Sequence, residues 1–370
     1  MTNEPHDPAV QRFRDLVSGA ECLPASIDSY RKIHQLALVS SLSGRVPIYL
    51  DTKFWVELRR AEERMAQGDA QELLSAIRKA VTAGMAFCPI SASAFMELLQ
   101  HSEPEARIQT ARLVDELSLG VSLISMDELL EAELEWHLTQ ATDSPVDPET
   151  VPIWTKLCYA LGSVTPHINK FPPNVMLAFQ VATLDSLWPM TLEEIARGLE
   201  PNRVDRAEAA ATITHDSRAH SKEASDFKTA YAAEAWGIAR FAAPICASVA
   251  RRIQPKSEIK ARGFSEGNGA KFIASSLIEN TARQALRSMH TRAAWHAIFR
   301  LNHARAFKAN DFLDIEHAAS AVGYCKAFFT ERSLATALTQ PPVGLDRLYG
   351  CFITSSLSEA KQYVRSLNRN

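Results

Sequence analysis

The sequence predicts an α/β protein: a three-layer α/β/α core around a central parallel sheet, interrupted by a large all-helical insertion. Short β-branched and aromatic runs alternate with helix-like stretches over residues 45–140. The same alternation returns over 307–370, and between the two blocks the strand signal disappears. Alternation of this kind implies parallel strands covered by helices on both faces. The chain therefore divides into an N-terminal helical segment (1–44), the first part of the core (45–140), a helical insertion (141–306) and the second part of the core (307–370).

Taken in order, residues 8–43 read as helical, with Val10, Phe13, Leu16 and Val17 at helical spacing. VPIYLD (46–51) is too short and too β-branched for a helix and leads into the helical FWVELRRAEERMAQG. A helix through ELLSAIRKAVTAG, a strand at AFCPI, a Ser-capped helix at SASAFMELLQH, a helix at EARIQTARLVDELS and a strand at VSLISM follow, with a further helix after it. TDSPVDPETVP (142–152) and TPHINKFPPN are Pro-rich connections. The next stretch is Ala-rich and helical. It includes a long run from Lys271 to Phe307, on which Ile278, Ala282, Ala285 and Met289 keep four-three-four spacing, and the GNG at Gly267–Gly269 reads as a loop before it. After Asn310 come a helix at DFLDIEHAASAVGYC, a strand at KAFFT, a short helix at SLATAL, a strand at GCFIT and a final helix at LSEAKQYVRSL.

Composition is that of an ordinary globular protein: 370 residues, 46% apolar, 22% charged. The net charge of −3 conceals two opposed regions. Between Glu97 and Thr150 stand thirteen acidic residues against two arginines; between Arg251 and Lys308, twelve Lys or Arg against three glutamates. A basic stretch that includes Arg283, Arg287 and Arg292 either tracks a phosphate backbone or docks on the acidic region of its own chain. Six cysteines without a CxxC pair indicate a reduced, cytoplasmic protein rather than a zinc or disulfide scaffold. No apolar run approaches the roughly 18 residues of a membrane span.

In a parallel sheet, ligands gather at the carboxyl ends of strands. Asp51 stands at such an end, either as a helix cap or as a functional carboxylate. Glu97 is a charge inside the apolar FMELL, Asp314 opens a helix with Asp311 one turn earlier, and Glu331 directly follows KAFFT. Four acids in four segments that converge need a compensating cation, and all-oxygen ligands suit Mg²⁺ or Mn²⁺.

The ordered set IYLDT, SASAFMEL, NDFLDIEHAASA with AFFTER, and GCFITSSLSEAKQYV resembles the PIN domain nucleases, over residues 45–140 and 307–370. The resemblance implies that Asp51, Glu97 and Asp314 bind Mg²⁺ or Mn²⁺, that Glu331 completes the catalytic acids, and that Asp311 is either an extra ligand or a cap. It implies hydrolysis of phosphodiester bonds in RNA, with single-stranded DNA as the other candidate substrate. Two positions depart from the family's pattern. Glu331 stands where an aspartate or asparagine is usual shortly after the threonine, and Lys53 where a small polar residue is common. The insertion, absent from compact members of the family, implies added recognition, a homo-oligomer or control by a regulatory protein partner. The other reading is a catalytically silent module of the same fold that binds RNA or protein. Metal-free alternatives rest on the Arg283/His290 pair, spaced as in the helical HEPN ribonucleases, and on the His215–Asp216 dipeptide. His317, one turn from Asp314, is either a packed histidine or a support to the acids.

Overall fold

The computed structural model describes residues 7–64, 68–100, 102–140, 152–162, 164–198, 205–219, 225–253, 265–302 and 305–368. The connection expected at 142–152 lies outside these residues except for Pro152, as do Lys256, Lys260 and Arg262 of the basic stretch.

The chain is mostly helical and is organised by a small parallel sheet of four strands, β1 (Val46–Leu50), β2 (Ala86–Phe87), β5 (Ala327–Phe329) and β6 (Phe352–Thr354), in the order β2-β1-β5-β6. In register, Ile48, Tyr49 and Leu50 face Ala327, Phe328 and Phe329, which in turn face Phe352, Ile353 and Thr354. The central strands are buried on both faces, hence their continuous apolar runs. Side chains alternate between two cores. Ile48, Leu50, Ala327 and Phe329 pack with Phe54, Leu74, Ile77, Leu117 and Val364 from helices Thr52–Arg64, Asp69–Thr82, Pro104–Ser118 and Leu357–Leu367. Tyr49, Phe87 and Phe328 share the other core with Leu130, Ala239, Ile273 and Met289. The helical insertion is thus the second covering layer of the sheet.

The predicted strand VSLISM becomes β3 (Val121–Leu123). It meets Ile90, just past β2, through a parallel bridge, and otherwise pairs antiparallel with β4 (Trp154–Lys156). Expecting no strand between Thr142 and Asn310 therefore needs correction. Trp154 alternates with its neighbours too briefly to register as a strand, and gains its place by packing edge-on against Phe87. The long helix expected from Lys271 is two helices, Glu266–Ile278 and Arg287–Leu301, broken at Asn280 with φ of 62°. Ala282, Ala285 and Met289 are buried across the break, so the apolar spacing predicts the core and not the continuity. The GNG segment is helical, not a loop. Gly269 lets its helix approach Phe227–Ile253 closely, since a Cβ there would stand 3.3 Å from the Ala243 carbonyl oxygen. The N-terminal stretch forms helices Pro8–Ser18 and Ile27–Ser41. They are anchored to helix Pro173–Leu187 by Arg12 and Tyr30, whose Nε and hydroxyl donate to Asp185 at 2.8 and 2.9 Å.

No single described helix is long and apolar enough to cross a membrane. The cysteines are free thiols, four of them buried.

Because both layers bury one sheet, the described core should unfold as one unit. Phe328→Ala should cost about 3–5 kcal/mol and shift a single transition seen alike by far-ultraviolet dichroism and tryptophan fluorescence. Two separate transitions would mean that the helical layer folds by itself.

Candidate acidic site

The carboxyl ends of β1 and β5 lie side by side, because Asp51 N–H donates to the Phe329 carbonyl (3.0 Å) and Thr330 N–H to that of Thr354 (2.9 Å). Asp51 is buried, with 5% of its surface exposed. Its Oδ1 accepts from Phe54 N–H (3.2 Å), capping the following helix, and its Oδ2 accepts from Glu331 N–H across the sheet (3.0 Å). The cap and the strand-end roles coexist. Burial still raises the carboxyl above its usual range, eased by Thr330 and His317 and reinforced by Glu331. The buried Thr330 hydroxyl, although beside Asp51, meets hydrogen-bond geometry with no group.

Asp314 reaches the same edge from the first turn of helix Asp311–Ala321. Burial pushes its carboxyl up to about 7; His317 opposes this, while Glu331, Asp311 and Asp51 add to it. Asp51, Asp314 and Glu331 therefore lie within one another's field. Glu331 itself is exposed at the rim.

Glu97 takes a different position. Its Oε2 accepts from the Thr52 hydroxyl and is 2.9 Å from His317 Nε2. Burial disfavours its charge, but His317, Thr52 and Arg206 together hold the carboxyl below the usual range. His317 is buried, and its Nδ1 lies 2.7 Å from the Tyr49 hydroxyl. Tyr49 is 2.5 Å from Ser91 Oγ, which is 2.7 Å from Ser93 Oγ. Burial disfavours the imidazolium, yet Glu97, Asp51 and Asp314 outweigh it, so the His317 pKa lies above its ordinary value. His317 thus links Glu97 to Asp51 and Asp314 and supports the acids rather than merely filling the core.

The other expected residues stand elsewhere. Asp311 is buried, ion-paired with Arg305 and bonded to Lys308 N–H (2.7 Å), so its carboxylate is used in fixing its own helix start. Lys53 turns along its helix toward Glu57 (3.9 Å). Arg292 is buried against Glu316, Arg287 donates to the Gln284 and Gly323 carbonyls at 2.8 Å, and Arg283 donates to the Leu277 carbonyl (3.3 Å) and covers the Tyr231 ring. All three arginines thus contact groups of their own chain, Arg292 buried and Arg283 and Arg287 half-buried. The basic stretch docks internally: Arg252 pairs with Glu131 and Glu135 of the acidic helix Met126–Thr139 at 3.1 and 3.0 Å. His290 is packed between Tyr231 and Tyr349, and burial together with Arg283 pushes its pKa down to about 3, so it is a neutral ring at physiological pH.

Tyr49, Ser91, Ser93 and Arg206 belong to the site without having been expected there. Ser91 was visible as a helix cap, and Tyr49 as a strand residue two positions before Asp51, on the opposite face of β1 from Leu50.

The acids' donor set is all oxygen, with two carboxylates of raised pKa, Asp51 buried and Asp314 half-buried, which suits a hard divalent cation that keeps several waters. Among the described residues, no three His, Cys, Asp or Glu side chains close into a metal-binding group. Comparison of the chain with protein-family profiles, curated proteins and solved structures gave no match.

Asp314 keeps a proton in the folded protein between about pH 4 and 7 that the unfolded chain releases, so its contribution to stability falls as pH rises through that window. Asp314→Asn should therefore raise the melting temperature in chelator at pH 8 by roughly 2 °C or more, and leave it unchanged at pH 4. Equal melting temperatures at pH 8 would contradict the burial of this charge.

Proposed function

We propose that the protein is a Mg²⁺- or Mn²⁺-dependent nuclease of the PIN type that hydrolyses phosphodiester bonds in RNA. The observation that carries the reading is the pair Asp51, buried, and Asp314, half-buried, at the carboxyl edge of a parallel sheet, each with its pKa raised and each in the field of Glu331. Mutually repelling carboxylates are costly to bury, and a protein gains from that arrangement where a cation joins them. The three-layer order of elements supports the same reading.

Asp51, Glu97 and Asp314 would hold the ion, with Glu331 at the rim. When bound, the ion would offset the carboxylate charge, lower the pKa of a water and stabilise negative charge on the phosphate. The chain's own residues prepare that site. Glu331 N–H and Phe54 N–H fix both oxygens of Asp51, Thr52 and His317 fix Glu97, and Tyr49 with Ser91 holds the His317 ring. Arg206, close enough to Glu97 to stabilise its charge, is a cation from the helical layer beside the acids and a candidate phosphate contact.

A second reading, a non-cutting RNA- or protein-binding module, draws on one observation: Glu97 is already satisfied by His317 and Thr52.

The deciding experiment is incubation of the full chain with end-labelled single-stranded RNA and DNA in Mg²⁺, Mn²⁺ or chelator. RNA cleavage should require the divalent ion and be abolished in Asp51→Asn and Asp314→Asn. Cleavage surviving chelation, or retained RNA binding with no cleavage in any condition, would overturn the proposal, the second outcome in favour of the binding module. His317→Ala should lower cleavage on the order of 10- to 100-fold at unchanged RNA affinity. Full activity of that variant would show that His317 does not position Glu97.

A further inference from the structure

A cleft of about 260 Å³ opens beside Asp314, and the proposed chemistry leaves it unassigned. One wall is helix Arg287–Leu301, from the helical layer, and the other is helix Arg332–Thr339, which follows β5. Its apolar lining includes Trp295 and Phe299, stacked with ring planes 5° apart. Its polar lining comprises two carboxamides, Asn302 and Gln340, and two hydroxyls, Ser333 and Thr336. Arg305 also lines it, lying 5.6 and 5.4 Å from the two ring centroids and ion-paired with Asp311.

We propose that this cleft is a base-reading subsite that takes one unpaired nucleobase, adenine in preference to the others, next to the phosphodiester held at the acidic site. The inference rests on the nuclease reading and names the specificity of that site. The Trp295 and Phe299 rings are themselves buried beneath Arg305, so a flat base has the partly exposed Arg305 guanidinium to lie against, and stacking of this kind accepts bases only when they are free of a partner strand. Carboxamides pair bidentately with the N6/N7 edge of adenine, whereas guanine is read by a free arginine fork. The arginine of this cleft has its guanidinium tied to Asp311, so the groups left to read an edge are the amides of Asn302 and Gln340 and the two hydroxyls. The helical layer, in covering one face of the sheet, also builds half of the subsite.

The test uses the full chain carrying Asp51→Asn, so that substrate survives, and measures anisotropy of labelled oligoadenylate and oligocytidylate. Oligoadenylate should bind at least about tenfold tighter. Asn302→Ala with Gln340→Ala should bring it to the oligocytidylate level, and Ser333→Trp, which fills the cleft from an exposed position, should weaken both; unchanged melting temperatures verify that these variants fold. Equal affinity for the two oligomers, or an adenine preference that survives the variants, would overturn the subsite. Cleavage by the wild-type chain separates the two claims. Metal-dependent cleavage without base preference keeps the nuclease reading and removes the subsite, and adenine preference without metal-dependent cleavage does the reverse.

Discussion

Charge removed from water must be satisfied, and the architecture around Asp51 and Asp314 depends on that constraint. Two carboxylates stand at the edge of a buried sheet, where burial favours their protonated forms. Backbone N–H groups satisfy the oxygens of Asp51, and His317 eases the burial of both carboxylates by pulling their pKa values down. His317 is in turn fixed at both nitrogens, by Glu97 and by Tyr49. A chain of hydrogen bonds from Ser93 through Ser91, Tyr49 and His317 to Glu97 and Thr52 therefore runs under the acidic edge. It connects β1, the helix Ala92–Leu99 and the helix Asp311–Ala321. Losing one member leaves a buried polar group unpaired, which costs more than the bond itself contributes.

The sheet sets where this network forms. Period-two alternation sends Ile48 and Leu50 to one core and Tyr49 to the other, so Tyr49 reaches His317 from the face covered by the helical layer. That layer is held by apolar packing and by oppositely charged helices, Arg252 against Glu131 and Glu135. These pairs are half-exposed, and such pairs contribute about 0–1 kcal/mol each. More telling is Glu133, between Glu131 and Glu135 in sequence and buried on the other face of the same acidic helix. It accepts from Ser288 N–H at 2.6 Å and from the hydroxyls of Ser288 and Tyr324, joining the acidic helix to the start of the basic one. Part of the charge asymmetry of the chain is thus spent inside the fold.

Much of this was legible in the sequence where local pattern and burial agree. The strands β1, β2, β3, β5 and β6, and the positions of Asp51, Glu97, Asp314 and Glu331 just past strands or early in helices, follow from hydrophobic periodicity and from the polar residues that interrupt it. What was not legible depends on tertiary contact. β4 is a three-residue strand that exists through its pairing with β3. The break at Asn280 leaves the apolar spacing intact, so periodicity passes over it. Arg283, Arg287 and Arg292 look like a phosphate-binding stripe along one helix, but Arg287 opens a new helix and Arg292 faces Glu316, a partner 24 residues away. The role of His317 was open because its partners come from two other segments, one of them Tyr49, a residue type that reads in sequence as ordinary strand core.

The proposed chemistry requires a divalent ion that joins Asp51 and Asp314. Calorimetric titration of the full chain with Mn²⁺ at pH 6.5, repeated in buffers of different ionisation enthalpy, measures both binding and the protons displaced. Binding should be accompanied by net proton release, because Asp314, with its pKa pushed up to about 7, carries a proton in much of the population at that pH before the ion arrives, and the release should fall in Asp314→Asn. Absence of Mn²⁺ binding, or binding with the same proton count in wild type and Asp314→Asn, would contradict the account.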